Sequence, residues 1–264
     1  MGQKSERPNE YDDQFVARLE LIYGDGFLSP GGAEEVRALL DGFNINERQV
    51  LDIGCGSGGA DVLLVEEHGA GKVICIDVEQ PLIDRATKLA TDKSLLGKLE
   101  FILVKPGPLP FEDEYFDTVF SKDAILQIPY KSQLFCDIYR VLKPGGAFVV
   151  SDWLKSAEGE LKALQEFLEA SSFTANMETS ATSKNLLQSS GFVEIQIRDR
   201  TDWLREQTKN DNVLITGKYR ERAIELIGSE KYEAWLQIRR SLLGALEAAE
   251  LRPSHLIARK PEHK

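Results

Sequence analysis

Apolar residues run along this chain in two alternating rhythms. Short, dense runs rich in β-branched and aromatic side chains read as buried strands. They are "VLDI" within "VLDIGCG", "KVICIDV" (72–78), "LEFILVK" (99–105), the start of "FDTVFSKDAI" (116–125) and "AFVVSDW" (147–153). Between them the spacing changes to that of helices. "GADVLLVEEHG" is a short one, Leu82, Ile83, Ala86 and Leu89 mark a second, and "SQLFCDIYRVL" is a third, closed by "KPGG". Strands separated by helix-length segments predict a parallel sheet with helices on both faces. Beyond residue 154 the spacing predicts helices over 157–171 and 180–190, a sixth strand over 192–199, a long helical stretch over 203–250 and a seventh strand over 254–260. No internal repeat or low-complexity tract interrupts the pattern.

Composition narrows the class. A chain of 264 residues that is 42% hydrophobic and 28% charged can bury one large core with an appended cap. No apolar run approaches the roughly 20 residues that cross a bilayer. The polar start, "MGQKSERPNEYDD", has no apolar stretch of the secretory kind, and Glu6 stands where a myristoylation signal has Ser or Thr. Cys55, Cys75 and Cys136 have apolar neighbours and no C-x-x-C spacing, which predicts buried thiols in a reducing, cytoplasmic setting, and no metal site is expected. The net charge of −11 argues against nucleic acid and anionic membranes as partners and suits a small neutral or cationic substrate; the sequence assigns no oligomeric state.

The candidate chemistry begins at "VLDIGCGSGG". Gly54, Gly56 and Gly59 fit G-x-G-x-x-G, and Gly54, Gly56 and Gly58 fit G-x-G-x-G. Such a turn beyond the carboxyl end of a strand lets a ligand approach the backbone. Asp77, followed by Val78, closes the next strand and is placed to accept both hydroxyls of a ribose. Dinucleotide enzymes use the same arrangement. Asp52 discriminates: a carboxylate two residues before the turn repels a pyrophosphate and tolerates an ammonium. Downstream, "PFEDEYFDTVFS" and "VLKPGGAFVVSD" follow in order.

With these motifs, residues 48–152 resemble the class I S-adenosylmethionine-dependent methyltransferases. The resemblance implies an α/β fold, a seven-stranded, mostly parallel, Rossmann-like sheet with a helical cap. It implies S-adenosylmethionine as cofactor, with Asp52, Gly54, Gly56, Gly58, Asp77 and Val78 about it. The expected domains are a helical cap (1–47), the cofactor-binding core (48–199), a helical lid (200–252) that selects the substrate, and the final strand with its tail (253–264).

"NEYDDQFV", "LIYGDGFLSPGG" and "SKDAIL" narrow the resemblance to the phosphoethanolamine and related small-amine methyltransferases. In that group an N-terminal tyrosine and a small-residue segment close over the cofactor, a role that falls here on Tyr11, Leu28 and Ser29. The alternatives are an anchoring role for Tyr11 and a helix-start turn for Ser29. Asp123 is the implied contact of the acceptor amine, the alternative being a helix cap. The chain departs from the group in several places. Gln127 stands where a histidine is expected; it holds a hydrogen bond but does not titrate. Trp153 replaces a tyrosine, and Leu19, Phe173 and Ala175 stand near positions that bind phosphate in the group. An apolar lining leaves a phosphate unpaired at a cost of several kcal/mol, so a less polar acceptor is expected, walled by Phe15, Leu19, Trp153 and Phe173. Lys105, beside Pro106, stands where an acidic residue faces the adenine; a shifted loop or Glu112 or Asp113 are the candidate substitutes. Arg239 and Arg240 are either a substrate contact or a solvated helix face. The implied activity is methyl transfer to a small molecule, most readily an amine nitrogen. O- or C-methylation is one alternative; a catalytically weak cofactor-binding protein acting through a partner is the other.

Overall fold

The dense apolar runs become the parallel half of one sheet because their residues can be buried on both faces. In the computed structural model, which describes residues 11–262, β1 (Gln49–Ile53), β2 (Lys72–Asp77), β3 (Leu99–Leu103) and β4 (Phe116–Lys122) run parallel, and β5 (Leu142–Lys155) continues them. The reading of "MGQKSE" falls outside the described residues. β6 (Val193–Asp199) and β7 (Leu251–Arg259) are antiparallel additions, and the spatial order is β3-β2-β1-β4-β5-β7-β6. The seven-stranded, mostly parallel sheet expected from the sequence is therefore present. Its order reverses at β1, where β2 and β4 flank the strand that leads into the glycine turn.

Alternation along β1 and β2 splits the core. Leu51, Ile53, Ile74 and Ile76 face α5 (Lys131–Val141) and α7 (Ser180–Ser189), packing with Phe135, Ile138 and Leu187. Val50, Val73 and Cys75 face α2 (Gly32–Leu39), α3 (Gly59–Glu66) and α4 (Gln80–Asp92), packing with Val36, Leu64 and Ile83. α1 (Asp13–Tyr23), α6 (Lys162–Ser171), α8 (Thr201–Thr216) and α9 (Arg220–Glu247) gather at the sheet's edge in two further apolar clusters.

Several expected boundaries move. β3 stops at Leu103, so Lys105 and Pro106 lie on an exposed loop. "KPGG" is not a helix-closing turn: it lies within β5, where the pairing with β4 slips between Phe116 and Thr118. The helix expected from 157 starts at Lys162, after Leu161 in a left-handed conformation (φ 52°). The stretch over 203–250 is two helices parted at Gly217, the second kinked at Gly228 (φ 80°). β7 begins at Leu251, so the lid ends earlier than expected. Pro253 sits inside β7, where β6 has already ended at the Asp199–Ser254 pair, so its missing N–H leaves no ladder bond on that side. Cys136 is exposed, not buried, with its Sγ 3.5 Å from Ser190 Oγ on the outer side of α5.

Candidate active site

The turn after β1 is built by left-handed backbone. Gly54, Gly56 and Gly58 have φ of 79°, 56° and 85°, and a Cβ on Gly54 would lie 2.3 Å from Cβ of Ala124. The Gly54 and Cys55 N–H groups donate to the Ile76 carbonyl, at 2.8 and 3.1 Å, which pins the turn to the end of β2. Asp77 stands at that end. Its Oδ2 accepts from Gly56 N–H (2.9 Å) and its Oδ1 from Val78 N–H (2.7 Å) and Glu79 N–H (3.0 Å). Burial raises the Asp77 carboxyl above its ordinary range, and these three donors oppose that rise. The carboxylate is thus held rigidly beside the turn. Val78 next to it is half exposed.

Asp52 points beneath the turn. It pairs in register with Cys75 and meets Asp61, in the first turn of α3. Both are almost completely buried, and the two carboxyls face each other with no cation among the described residues to neutralise them. Burial and the facing Asp61 push Asp52 well above the carboxylate range, and burial raises Asp61 to about 7. Two carboxyls at such range share a proton. An acid whose pKa is higher in the folded than in the unfolded chain gives its full stability below the unfolded value, and that stability is lost as pH rises through the folded one. For Asp61 the window runs from its ordinary value of 3.8 to about 7. Asp61→Asn, which donates to Asp52 without a charge, is therefore expected to raise Tm relative to the unaltered protein more at pH 8 than at pH 5. Parallel Tm curves by calorimetry would refute this. Nothing in the spacing marked Asp61; it reads from sequence as a helix-start acid.

The cap covers the turn from the other side. Leu28 Cδ1 lies against Gly56, and Gly59 N–H donates to the Gly26 carbonyl (3.0 Å), a contact that only glycine at both positions permits. Ser29 is tied to the end of β4: Lys122 Nζ donates to Ser29 Oγ (2.5 Å), to the Pro30 carbonyl (3.0 Å) and to Asp123 Oδ2 (3.0 Å). Asp123 is itself left-handed (φ 55°) and caps no helix; its Oδ1 accepts from Ser151 Oγ (3.0 Å) and its N–H donates to the Ser151 carbonyl. The expected amine contact is thus half of a nearly buried ion pair. Lys122, which the sequence reading passed over, is its other half.

Gln127 ends the 3-10 turn Ile125–Gln127, which is fixed from below. Asp152 Oδ1 accepts from Leu126 N–H (2.9 Å), and Asn176 donates to the Gln127 carbonyl (3.1 Å). Burial pushes Asp152 up to about 7, with the Lys131 ammonium opposing the rise. Gln127 Nε2 in turn donates to Tyr11 Oη (3.2 Å), bridging core and cap. Tyr11 stands edge-on to Phe15, with ring centroids 5.4 Å apart. Trp153 packs with Phe167, Phe173 and Ala175, and Leu19 is half-buried on α1. The structure thus brings Tyr11, Phe15 and Gln127 together, and sets Trp153 and Phe173 against one apolar cluster. Lys105 and Pro106 stay out on their loop, and Asp113, the suggested substitute, is engaged by Arg140 (2.9 Å).

The two lid arginines divide. Arg240 is exposed and bonded to Gln237, a solvated face. Arg239 is buried and bonded to Asp211 Oδ2 (2.9 Å), Asn212 Oδ1 (2.9 Å), Tyr23 Oη (2.8 Å) and the Thr208 carbonyl (3.2 Å). It is a joint between α1, α8 and α9, with four of its five N–H donors spent inside the fold.

Residues 51–150 match a methyltransferase domain. Phosphoethanolamine N-methyltransferase 1 of Arabidopsis thaliana is 28% identical over 225 residues, which are 85% of this chain and 45% of that protein. The chain thus spans under half the length of this plant relative. The phosphoethanolamine N-methyltransferase of Plasmodium falciparum is 26% identical over 85% of this chain and 83% of its own length. In structure, phosphoethanolamine N-methyltransferase 2 of Haemonchus contortus, solved with phosphomonomethylethanolamine and S-adenosylhomocysteine, superposes with a TM-score of 0.88. It is 24% identical, and the match covers 96% of this chain and 59% of that one. Residues 51–150 thus form a methyltransferase domain, and the chain resembles the class I S-adenosylmethionine-dependent methyltransferases and, among them, the phosphoethanolamine N-methyltransferase group.

Proposed function

We propose that this chain transfers the methyl group of S-adenosylmethionine to the nitrogen of a small amine by in-line displacement. The observation that carries the reading is the rigid Asp77 carboxylate beside the glycine turn, facing the same edge of the sheet as the Asp123 pair and the Gln127–Tyr11 bridge. The turn fits the cofactor: an added Cβ on Gly54 or Gly56 would crowd Ala124 or Leu28, and the three N–H donors on Asp77 leave one acceptor position, on Oδ2, for a hydroxyl. In this reading Asp77 holds the ribose and the backbone of Gly54, Gly56 and Gly58 borders the methionyl part, with Asp52 beneath. Val78 flanks the adenine, and Leu28 and Ser29 cover it. When bound, the cofactor supplies a methyl group already activated by its sulfonium.

The chain's own task is then placement and water exclusion, worth roughly 7–11 kcal/mol at best. Asp123, paired with Lys122, orients the amine and takes the proton it sheds on methylation. Gln127 and Tyr11 close the cap, and Phe15, Leu19, Trp153 and Phe173 wall the acceptor. Gln127 does not titrate, so the amine has to arrive neutral, a condition an amine of low pKa meets readily, whereas an alcohol attacks poorly until a base removes its proton.

Calorimetry with S-adenosylmethionine and NAD, joined to transfer of a labelled methyl group to a panel of amines, phenols and thiols, tests the proposal. Binding of the first ligand only, with label on amine nitrogen, is expected. Asp123→Asn is expected to lose turnover while keeping cofactor affinity. NAD binding, or label on phenols alone, would overturn the reading; cofactor binding without turnover would favour a non-catalytic role.

A further inference from the structure

Two adjacent residues of β5 hold the two halves of the segment that joins β4 to α5. Ser151 holds the first: its Oγ donates to Asp123 Oδ1 (3.0 Å), and its carbonyl accepts from Asp123 N–H (2.7 Å). Asp152 holds the second, accepting from Leu126 N–H (2.9 Å) within the 3-10 turn that ends at Gln127. Both candidate acceptor contacts, Asp123 and Gln127, thus lie on a segment beyond the end of β4 that side chains of the next strand support.

More ties close the turn. Asn176 N–H donates to the Leu126 carbonyl (2.7 Å), and Asn176 Nδ2 to the Gln127 carbonyl (3.1 Å). Lys131 Nζ donates to the carbonyls of Ile128 (2.6 Å) and Asn176 (2.9 Å). Asn176 follows Phe173 and Ala175, so the same knot joins Gln127 to the apolar cluster around Trp153.

Asp152 and Lys131 are 2% and 6% exposed. An amide oxygen would serve Leu126 N–H as well as a carboxylate does, so that hydrogen bond alone does not call for an acid at 152. Lys131 does call for one. Its ammonium is withdrawn from water onto neutral carbonyls, and a buried cation needs an opposite charge close by. Asp152 acts on it more strongly than Glu178, the other carboxyl in range, and Lys131 in turn opposes the rise that burial imposes on Asp152. Asp152 therefore has two tasks, one at each end of the turn.

We propose that Asp152 is a positioning residue that acts through the Leu126–Gln127 turn, with Lys131 and Asn176, to set Gln127 against Tyr11 and so hold the cap closed. Its purpose, enclosing the methyl acceptor, rests on the methyl-transfer reading above; its geometry does not. Because Asp152 acts through Gln127, its effect on the cap is expected to vanish once Gln127 is removed, whereas an independent contribution to stability would add to that loss.

The test follows hydrogen–deuterium exchange over residues 11–18 by mass spectrometry, with and without saturating S-adenosylhomocysteine. Gln127→Ala is expected to speed exchange there about three- to tenfold, the effect of one lost hydrogen bond. Asp152→Ala is expected to do the same, and the double variant no more than Gln127→Ala alone, while β1 and β2 keep the exchange of the unaltered protein. Asp152→Asn keeps the Leu126 acceptor but leaves Lys131 unmatched, so it should fall between Asp152→Ala and the unaltered protein. Asn176→Ala, at an exposed position, removes the Gln127 tie and is expected to act in the same direction; paired with Gln127→Ala it serves if Asp152→Ala does not fold. Unchanged exchange over 11–18 in the single variants, or effects that multiply in the double variant, would overturn the inference. The expected pattern in a protein that does not bind S-adenosylhomocysteine would keep Asp152 as the anchor of the cap and reject the methyl-transfer reading instead.

Discussion

Asp77→Ala is expected to weaken S-adenosylmethionine binding about ten- to a hundred-fold. A hydrogen bond to a buried charged group contributes roughly 1.5–3 kcal/mol, and Asp77 is a charged acceptor at 9% exposure. The alanine also strips the Gly56 N–H of its partner, so the turn loses its tether to the end of β2. Asp77→Asn separates the two effects: it keeps one carbonyl acceptor but loses the charge, and its loss should be intermediate. Isothermal titration gives the dissociation constants, and thermal unfolding without ligand shows whether the turn alone has suffered. A dissociation constant within threefold of the unaltered protein would place the cofactor elsewhere.

Arg239→Met is expected to destabilise the fold by about 3–5 kcal/mol, the usual cost of leaving one member of a buried ion pair alone. Asp211 would remain 1% exposed without its cation, and Tyr23, Asn212 and the Thr208 carbonyl would each lose a donor. The double variant Arg239→Met, Asp211→Leu removes the stranded charge as well and should recover much of the loss. Denaturant unfolding measures both. A single-variant loss below about 1 kcal/mol would show that water reaches Asp211 and that the joint is weaker than its geometry implies.

Strand identities were legible because buried parallel strands demand continuous apolar runs; "VLDI", "VICID" and "FDTVF" have few other uses. The glycine turn and Asp77 were legible because backbone geometry and charge at a strand end are local properties. What the sequence concealed was partnership between distant residues. Lys122 and Asp123 are neighbours in sequence, yet the pair matters through Ser29 and Pro30 in the cap. Asp61 acquires its unusual acidity only because β1 brings Asp52 beneath α3. Arg239 looks like a helix-surface charge in the sequence, and tertiary packing alone makes it a joint. The β7 start was missed because Pro253 argues locally against a strand interior, and only the early end of β6 explains why it is tolerated.

The placement of β7 between β5 and β6 has a consequence for synthesis. As the chain emerges, β6 finds no neighbour until the whole of α8 and α9 has been made, since its pairing is to β7 alone. The nascent protein therefore carries two open strand edges, on β5 and β6, through the translation of the lid, a state that invites association with other chains. His255 on β7 also completes the buried Glu35 site of α2, at 2.7 Å, so the N-terminal cap gains its last tie to the sheet once that strand arrives. Assembly of the ligand-binding edge is thereby deferred, and a pause or truncation within the lid should yield an aggregating intermediate in place of a partly active one.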